Sequence, residues 1–368
     1  MSPLAATAAT AATAATAAPA ATAATDVVAA AAAAEPRHDT RPSVSILLPT
    51  HTERAFIRDC LASIAAQDYG AIVEVLVLDG GSTDGTREIV EGLGRPFVLV
   101  DNPGVTAASA LNLGIRRATG EVVVRMDAHA LYAPDYVRRC VEVLLETGAD
   151  NVGGRMRPVG RSAFGRAVAA VTSSPFGVGP GKFHYFEGRA EVDTVFLGCW
   201  RRPTLERLGG FDDRGLQWAA EDHELNLRLR AAGGRIVLDP SICSSYFPRE
   251  TPSGLAKQYV NYGTGKVSTL RKHRTLPSPR PLAPAALVGL SAVALVTTRG
   301  PWRVAIPAVH AAVCAWAAKK AARTPGVSTA RAFAVVEICH WSYGAGFWAG
   351  VLRVLRRKPF DARPSGHR

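Results

Sequence analysis

Three groups of acidic residues occupy positions where a carboxylate can act on a ligand. The first is Asp79-Gly80-Gly81-Ser82-Thr83-Asp84-Gly85-Thr86, which closes the apolar run 73–78. An earlier run, 44–48, is closed by Pro49-Thr50-His51-Thr52-Glu53. If the two runs are adjacent parallel strands, both loops reach one rim. A carboxylate there can accept hydrogen bonds from a base or ribose, while glycines let a ligand approach the backbone. The same residues also read as turns, with Asp84 capping a helix that starts near Thr86. No GxGxxG follows the first run, so the dinucleotide fingerprint is excluded.

The second group, Asp127-Ala128-His129, directly follows Val122-Val123-Val124-Arg125-Met126. A strand-end Asp with a ligand-capable side chain two positions on can hold a divalent cation against a diphosphate, or can simply form a turn. The third is Glu221-Asp222, four residues before Leu225 and seven before Leu229 when counted from Glu221 and Asp222 respectively. Leu225 and Leu229 share a helical face with Glu221, and Asp222 is offset by one position at the helix start. From there it can take a proton from an attacking hydroxyl, or merely complement the helix dipole.

Positioning these groups requires buried strands alternating with helices. Runs 44–48, 73–78, 97–100 and 122–126 are apolar on both faces and bounded by Pro, Gly or Asp, which predicts buried strands. Residues 56–64 and 134–147 carry apolar side chains at helical spacing, the latter after a Pro suited to a first turn. The alternation predicts an α/β domain whose mostly parallel sheet presents ligands at the carboxyl ends of its strands.

The rest of the chain divides by composition. Residues 1–40 are nearly all Ala and Thr and predict a disordered tail, without the charged start and long apolar run of a secretory signal. Residues 41–270 form the expected catalytic domain, 271–281 a basic linker, 282–358 a membrane-associated helical region and 359–368 a tail. Stretches 282–298, 302–318 and 332–352 are apolar, with Arg271-Lys272-His273-Arg274 and Lys319-Lys320 flanking the first two. That pattern predicts a bilayer hairpin with cytoplasmic ends, and a third segment that turns back at Gly344-Ala345-Gly346 or lies in the interface. The chain has 368 residues, a formal net charge of +12 and 48% hydrophobic residues. Its basic residues gather beside apolar segments and not among exposed aromatics, which argues against nucleic acid as a partner. Six cysteines, without a CxxC pair, predict reduced thiols and a cytosolic face.

The order and spacing of the three acidic groups resemble family 2 glycosyltransferases over residues 42–266. The matching stretches are Ser45-Ile46-Leu47-Leu48-Pro49-Thr50, the loop from Asp79 to Thr86, Ala110-Leu111-Asn112-Leu113-Gly114-Ile115, Gly120-Glu121 leading to Asp127, Gly209-Gly210-Phe211-Asp212, and Glu221-Asp222. Residues 125–130, 150–154, 173–179 and 259–266 are similar to the branch of succinoglycan-type exopolysaccharide glucosyltransferases. The resemblance implies a nucleotide-diphospho-sugar transferase (GT-A) fold followed by C-terminal membrane helices. It also implies a nucleotide-sugar donor such as a UDP-sugar, Mn²⁺ or Mg²⁺, and inversion at the anomeric carbon. The acceptor is then a lipid-linked or growing polysaccharide at the cytoplasmic face of a multi-pass cell-membrane protein.

By the same resemblance Asp222 is the catalytic base. Pro49, Thr50, Glu53, Asp79, Ser82, Asp84, Asn112, Arg125 and Asp127 line the donor, and Glu221, Gln258, Tyr262 and Lys266 the acceptor or diphosphate region. Asp127 and His129 would hold the metal. Two positions depart from the family pattern, since Gly80 and His129 stand where aspartates are usual. Imidazole suits Mn²⁺ better than Mg²⁺, so His129 is either a Mn²⁺ ligand or a diphosphate contact. A membrane-tethered nucleotide-sugar-binding scaffold without turnover is the alternative that those departures leave open.

Overall fold

The computed structural model describes residues 41–179, 181–213, 221–274 and 279–357. The expected tails at 1–40 and 359–368, and residues 275–278 of the expected linker, lie outside the described residues.

The four expected strands form as β1 (Val44–Thr50), β2 (Ile72–Asp79), β3 (Phe97–Asp101) and β4 (Val122–Arg125). Five more follow: β5 (Ala130–Tyr132), β6 (Asn151–Pro158), β7 (Ala190–Glu191), β8 (Phe196–Arg201) and β9 (Ile236–Tyr246). The sheet runs β3-β2-β1-β4-β8-β6-β9-β5, with β7 paired to β9. The first four strands in that order are mutually parallel. Beyond them β8 is antiparallel to both β4 and β6, while β6 and β9 pair in parallel. Because β2 and β4 flank β1 on opposite sides, the chain reverses its direction of winding there. That reversal opens a crevice outside the carboxyl ends of the strands.

Helices α1 (Ile57–Ala65) and α4 (Tyr136–Thr147) cover one face of the sheet with Ile57, Leu61, Val137 and Leu144, all fully buried against Ile46, Leu48 and Val124. Helix α2 (Thr86–Glu91) adds Val90 at the edge. The other face is covered by α3 (Ala107–Arg117), α7 (Arg202–Arg207) and α8 (Glu221–Ala231), whose Leu111, Leu205 and Leu225 pack on Leu47, Leu78 and Val123. Each buried Leu of this kind contributes about 2 kcal/mol of transfer free energy. A third cluster lies apart from the sheet. It joins α5 (Ala163–Thr172), which precedes the short α6 (Pro175–Val178), to the C-terminal helices.

Those helices are α9 (Pro252–His273), α10 (Pro279–Thr297), α11 (Ala305–Ala321) and α12 (Thr329–Leu355). Helix α9 runs through the boundary expected at residue 270, so Arg271-Lys272-His273 are its last turn. Helix α12 continues straight past Gly344-Ala345-Gly346, where a reversal was one expectation. Its glycines serve close packing instead: a Cβ on Gly346 would lie 2.1 Å from Val260 O of α9, and one on Gly263 would lie 2.2 Å from Tyr343 O. Among the described residues no helix is long and apolar enough to cross a membrane.

Strands β6 and β9 pair at Gly153↔Leu238 and again at Arg155↔Cys243, so β9 bulges out around Pro240. Gly154 sits under that bulge, where an added Cβ would lie 1.7 Å from Ile242 O. Backbone cannot yield as a side chain does. Gly154→Ala is therefore expected to cost about 3 kcal/mol, at the upper end for overpacking. The check is a lowered urea midpoint with an unchanged slope, and a wild-type midpoint would show that the bulge yields freely.

Candidate active site

Asp79, at the end of β2, pairs across the sheet with Thr50 at the end of β1. Its buried carboxylate accepts from Gly81 N at 3.0 Å, Ser82 N at 2.9 Å, Ser82 Oγ at 2.5 Å and Arg87 Nη1 at 3.0 Å. Burial alone would raise its pKa, but the bonds from Ser82, Arg87 and Gly81 hold it below the usual carboxylate value. Three of those bonds end on Oδ2, so Oδ1 keeps a lone pair beyond its bond from Ser82. Ser82 Oγ also accepts from Thr52 N at 2.8 Å, which ties the β1 loop to the β2 loop. Thr50 is buried and its hydroxyl donates to Leu48 O at 3.1 Å, beside the partly exposed Pro49.

Asp84 lies just before α2, whose N-cap position is Gly85, and accepts from Thr86 N at 3.1 Å and from Arg54 N at 3.0 Å. An open depression of about 660 Å³ runs past Asp84, Arg54, Arg58 and Glu88, but none of Asp79, Asp127 and Asp222 lines it. Gly80 faces Val105, and a Cβ there would lie 3.1 Å from Val105 O. The aspartate usual at this position would thus need the neighbouring loop to move. Thr52 and Val105, at φ 58° and 63°, hold the left-handed conformation that β-branched residues rarely adopt. Backbone strain is thereby stored on both flanks of the crevice.

Arg125, the last residue of β4, is 5% exposed. Its Nε donates to Asp127 Oδ1 at 3.1 Å, and Nη1 donates to Asp222 Oδ1 and lies 3.2 Å from Glu221 Oε1. Asp127, Glu221 and Asp222, separated by more than ninety positions in the chain, thus meet on one guanidinium. Burial would lower Arg125, but Asp127, Asp222 and Glu221 hold it well above its ordinary value. One cation cannot neutralise three carboxylates. Burial, with Glu221 and Asp127 adding to it and Arg125 opposing, pushes Asp222 up to about 7. A quarter of the Asp222 side chain still meets solvent, so an acceptor can reach it.

Several residues aim this cluster. Asp127 N donates to Tyr132 Oη at 2.6 Å, and the same hydroxyl donates to Asp127 O at 3.1 Å, pinning the loop after β4. Helix α8 is held by Asn226, which accepts from Asn151 Nδ2 at 2.9 Å and donates to Thr194 Oγ1 at 2.9 Å. Glu224 is fully buried. It accepts from Arg228 Nε at 2.9 Å and from Lys272 Nζ at 2.7 Å, and it lies 3.0 Å from His273 Nε2. The last turn of α9 is thereby fastened to the helix that carries Asp222.

His129 Nδ1 lies 3.1 Å from Glu53 Oε1, an arrangement that leaves Nε2 to meet a ligand. Burial would lower His129, but Glu53 and Asp127 hold it above its ordinary value. Asp127 Oδ2 and His129 Nε2 offer an oxygen and a nitrogen on one pinned loop beside surplus negative charge. That donor set fits a divalent cation of the Mn²⁺ kind, which would displace the imidazole proton on binding.

Of the residues expected on the acceptor side, Gln258 Nε2 donates to Tyr262 Oη at 3.0 Å and to Tyr246 Oη at 3.3 Å. Tyr246 in turn meets the His129 ring, with centroids 5.4 Å apart. A continuous path therefore runs from Glu53 to α9. Lys266 Nζ donates to His223 Nε2 at 3.1 Å, next to Asp222 in sequence. Asn112 is placed differently from the donor role expected of it. Its amide spans the Phe211 backbone, donating to Phe211 O at 2.8 Å and accepting from Phe211 N at 2.7 Å, and so holds the Gly209-Gly210 turn. Tyr132, Glu224, Asn226 and Tyr246 were not singled out by sequence. Only the Glu224 and Arg228 pair, one helical turn apart, carried a signal there.

Residues 45–186 match the family described as Glycosyl transferase family 2. Over 328 residues the chain is 33% identical to the succinoglycan biosynthesis protein ExoA of Rhizobium meliloti, covering 86% of this chain and 98% of that protein. It is 27% identical, over 62% of this chain and 74% of the other, to a dolichyl N-acetyl-alpha-D-glucosaminyl phosphate 3-beta-D-2,3-diacetamido-2,3-dideoxy-beta-D-glucuronosyltransferase of Methanococcus voltae. Among solved structures, a mannosyltransferase from Pyrobaculum calidifontis in complex with GDP-Man and Mn²⁺ matches with a TM-score of 0.54 at 24% identity, over 86% of this chain and 99% of that one. At that identity the likeness shows the fold alone, which is the α/β nucleotide-diphospho-sugar transferase (GT-A) type. With a near full-length relative at this identity, the chain belongs to the family 2 glycosyltransferases and is a glycosyltransferase of the ExoA type.

Proposed function

We propose that this glycosyltransferase moves a sugar from a UDP-type nucleotide donor to a hydroxyl of a lipid-linked or growing polysaccharide, with inversion, at the cytoplasmic face of a membrane. The observation that carries the reading is Arg125, which gathers Asp127 and Asp222 into one crevice at the carboxyl ends of β1 and β4. Asp79 lies two strands away from Arg125, about 10 Å at ordinary strand spacing. That span suits a nucleoside at Thr50 and Asp79 with its diphosphate at Asp127.

In the proposed displacement Asp222 takes the proton of the acceptor hydroxyl as its oxygen bonds to the anomeric carbon. The bond from that carbon to the diphosphate breaks on the opposite side, and its electron pair leaves with the nucleotide. A divalent cation held by Asp127 and His129 would supply positive charge against the departing diphosphate. Positioning matters as much as charge, since in-line attack needs the two oxygens aligned. Gln258 and Tyr262 on α9 are suited to the sugar or acceptor side. Glu221 shares Arg125 with Asp222 and sets its surroundings, while Lys266 holds the neighbouring His223.

Membrane attachment is proposed from the hairpin of α10 and α11. Leu290, Val293, Leu295, Val296, Trp302 and Val304 are each more than half exposed, and Lys319 and Lys320 lie in the last turn of α11. An exposed apolar surface that includes a Trp suits insertion into a bilayer, with Lys319 and Lys320, about 20 Å further along α11, left to meet anionic headgroups. Leu295→Asp with Val296→Asp is expected to abolish co-flotation with anionic vesicles. Flotation equal to wild type would exclude the hairpin as the anchor.

For the reaction, purified protein in detergent is offered labelled UDP-sugars with polyprenyl-linked acceptors. Transfer from one donor is expected. Asp222→Asn should lower kcat roughly a hundred- to ten-thousandfold while donor affinity is kept. No transfer from any donor, or full turnover by Asp222→Asn, contradicts the proposal. The pH profile gives a separate check. Asp222 accepts a proton only when ionised, so kcat/KM should fall about tenfold per unit below pH 7 and level off above it. A profile flat down to pH 5 would remove Asp222 as the base.

A further inference from the structure

Away from the catalytic crevice, His310 and Cys314 on α11 face His340 on α12, and their ligand atoms lie within 4.8 Å of one another. His310 Nε2 is 2.9 Å from His340 Nδ1 and 3.3 Å from Cys314 Sγ. On a tetrahedral Zn²⁺ with ordinary bond lengths, the corresponding edges are about 3.4 Å and 3.5 Å. Those two edges are within about half an ångström of the tetrahedral values, and the third, between Cys314 and His340, is no longer than 4.8 Å.

The surroundings of the two imidazoles bear on where their protons sit. His340 Nε2 lies 3.0 Å from the carbonyl oxygen of Phe176, which can only accept, so Nε2 carries the proton and Nδ1 presents a lone pair. His310 Nδ1 lies 3.3 Å from Glu337 Oε1, a buried oxygen with no hydrogen-bond partner among the described residues. That carboxylate is positioned by Trp341 Nε1, which donates to Oε2 at 2.7 Å. Its negative charge stands beside the ring without accepting a hydrogen bond from it, and it favours positive charge at this group. His310 Nε2 and His340 Nδ1, 2.9 Å apart, are close enough to share either a proton or a metal cation. His340 is oriented as a metal-ligating His is, donating its other ring N–H to a backbone carbonyl.

We propose that His310, Cys314 and His340 bind a divalent cation of the Zn²⁺ class, with water in the fourth position, and that it staples α11 to α12. Through Phe176 the staple reaches α6, so the metal ties the C-terminal hairpin to the catalytic body. Thiolate and imidazole donors select Zn²⁺ and its soft congeners over Mg²⁺, and they make the site chemically distinct from the one at Asp127. Binding releases the Cys314 proton.

Co²⁺ titration of the full-length protein in detergent, after chelator treatment, is the test. One equivalent of Co²⁺ should produce a near-ultraviolet sulfur-to-metal charge-transfer band and intense visible bands of tetrahedral Co²⁺, both abolished by stoichiometric Zn²⁺. An Asp127 site without sulfur gives no such charge-transfer band. Cys314→Ser should remove the band, and His340→Ala should weaken Co²⁺ binding roughly a hundredfold. Absence of the band in the wild-type protein at saturating Co²⁺ overturns the proposal without reference to any variant. A band that survives Cys314→Ser unchanged overturns it equally.

Discussion

The structure of the active site depends on a single buried guanidinium. Arg125 is withdrawn from water at the end of β4, and Asp127, Glu221 and Asp222 all reach it directly. Removing one partner of a buried charge cluster typically costs about 3–5 kcal/mol, because the remaining charges stay desolvated. The surplus of negative over positive charge does two things at once. It raises Asp222 into the range where a base works near neutral pH, and it prepares the loop after β4 for a cation.

Such a cluster needs a frame that prevents the acids from separating. Parallel pairing of β1 with β2 and β4 brings Thr50, Asp79 and Arg125 to one end of the sheet. Helix α8 is then anchored twice, by Asn226 on Asn151 of β6 and by Glu224 on Lys272 of α9. Because α9 packs along α12, the C-terminal helices are mechanically continuous with the helix that carries Asp222. A surface embedded through α10 and α11 would therefore hold the catalytic crevice at a fixed height above the bilayer. The effective concentration of a lipid-linked acceptor would rise accordingly.

Sequence made the site legible to the extent that its residues sit at strand ends and helix starts. Asp79 and Asp127 could be singled out because apolar runs stop at each of them, and Asp222 because it stands at the start of a helix. Asn112 could not be read correctly from its motif, since a clamp on the Phe211 backbone ninety-nine positions away leaves no local trace. The same holds for Tyr132 and Tyr246, whose hydroxyl and ring contacts arise only once β5 and β9 pair. The C-terminal third gave up less. Its apolar stretches were visible, but a continuous α12 with glycines used for close packing and a His-Cys-His group shared between helices depend on how the helices meet. Gly80 shows the converse. A missing acid was obvious in sequence, and only the proximity of Val105 explains why a smaller residue stands there.

A double-mutant cycle in kcat/KM with Arg125→Met and Asp222→Asn probes the central claim most directly. If Arg125 acts through the charge state and placement of Asp222, the double variant should be no slower than the worse single one, with strong non-additivity. Purely additive losses would mean that the two residues work independently, and the account of a shared buried charge cluster would be wrong.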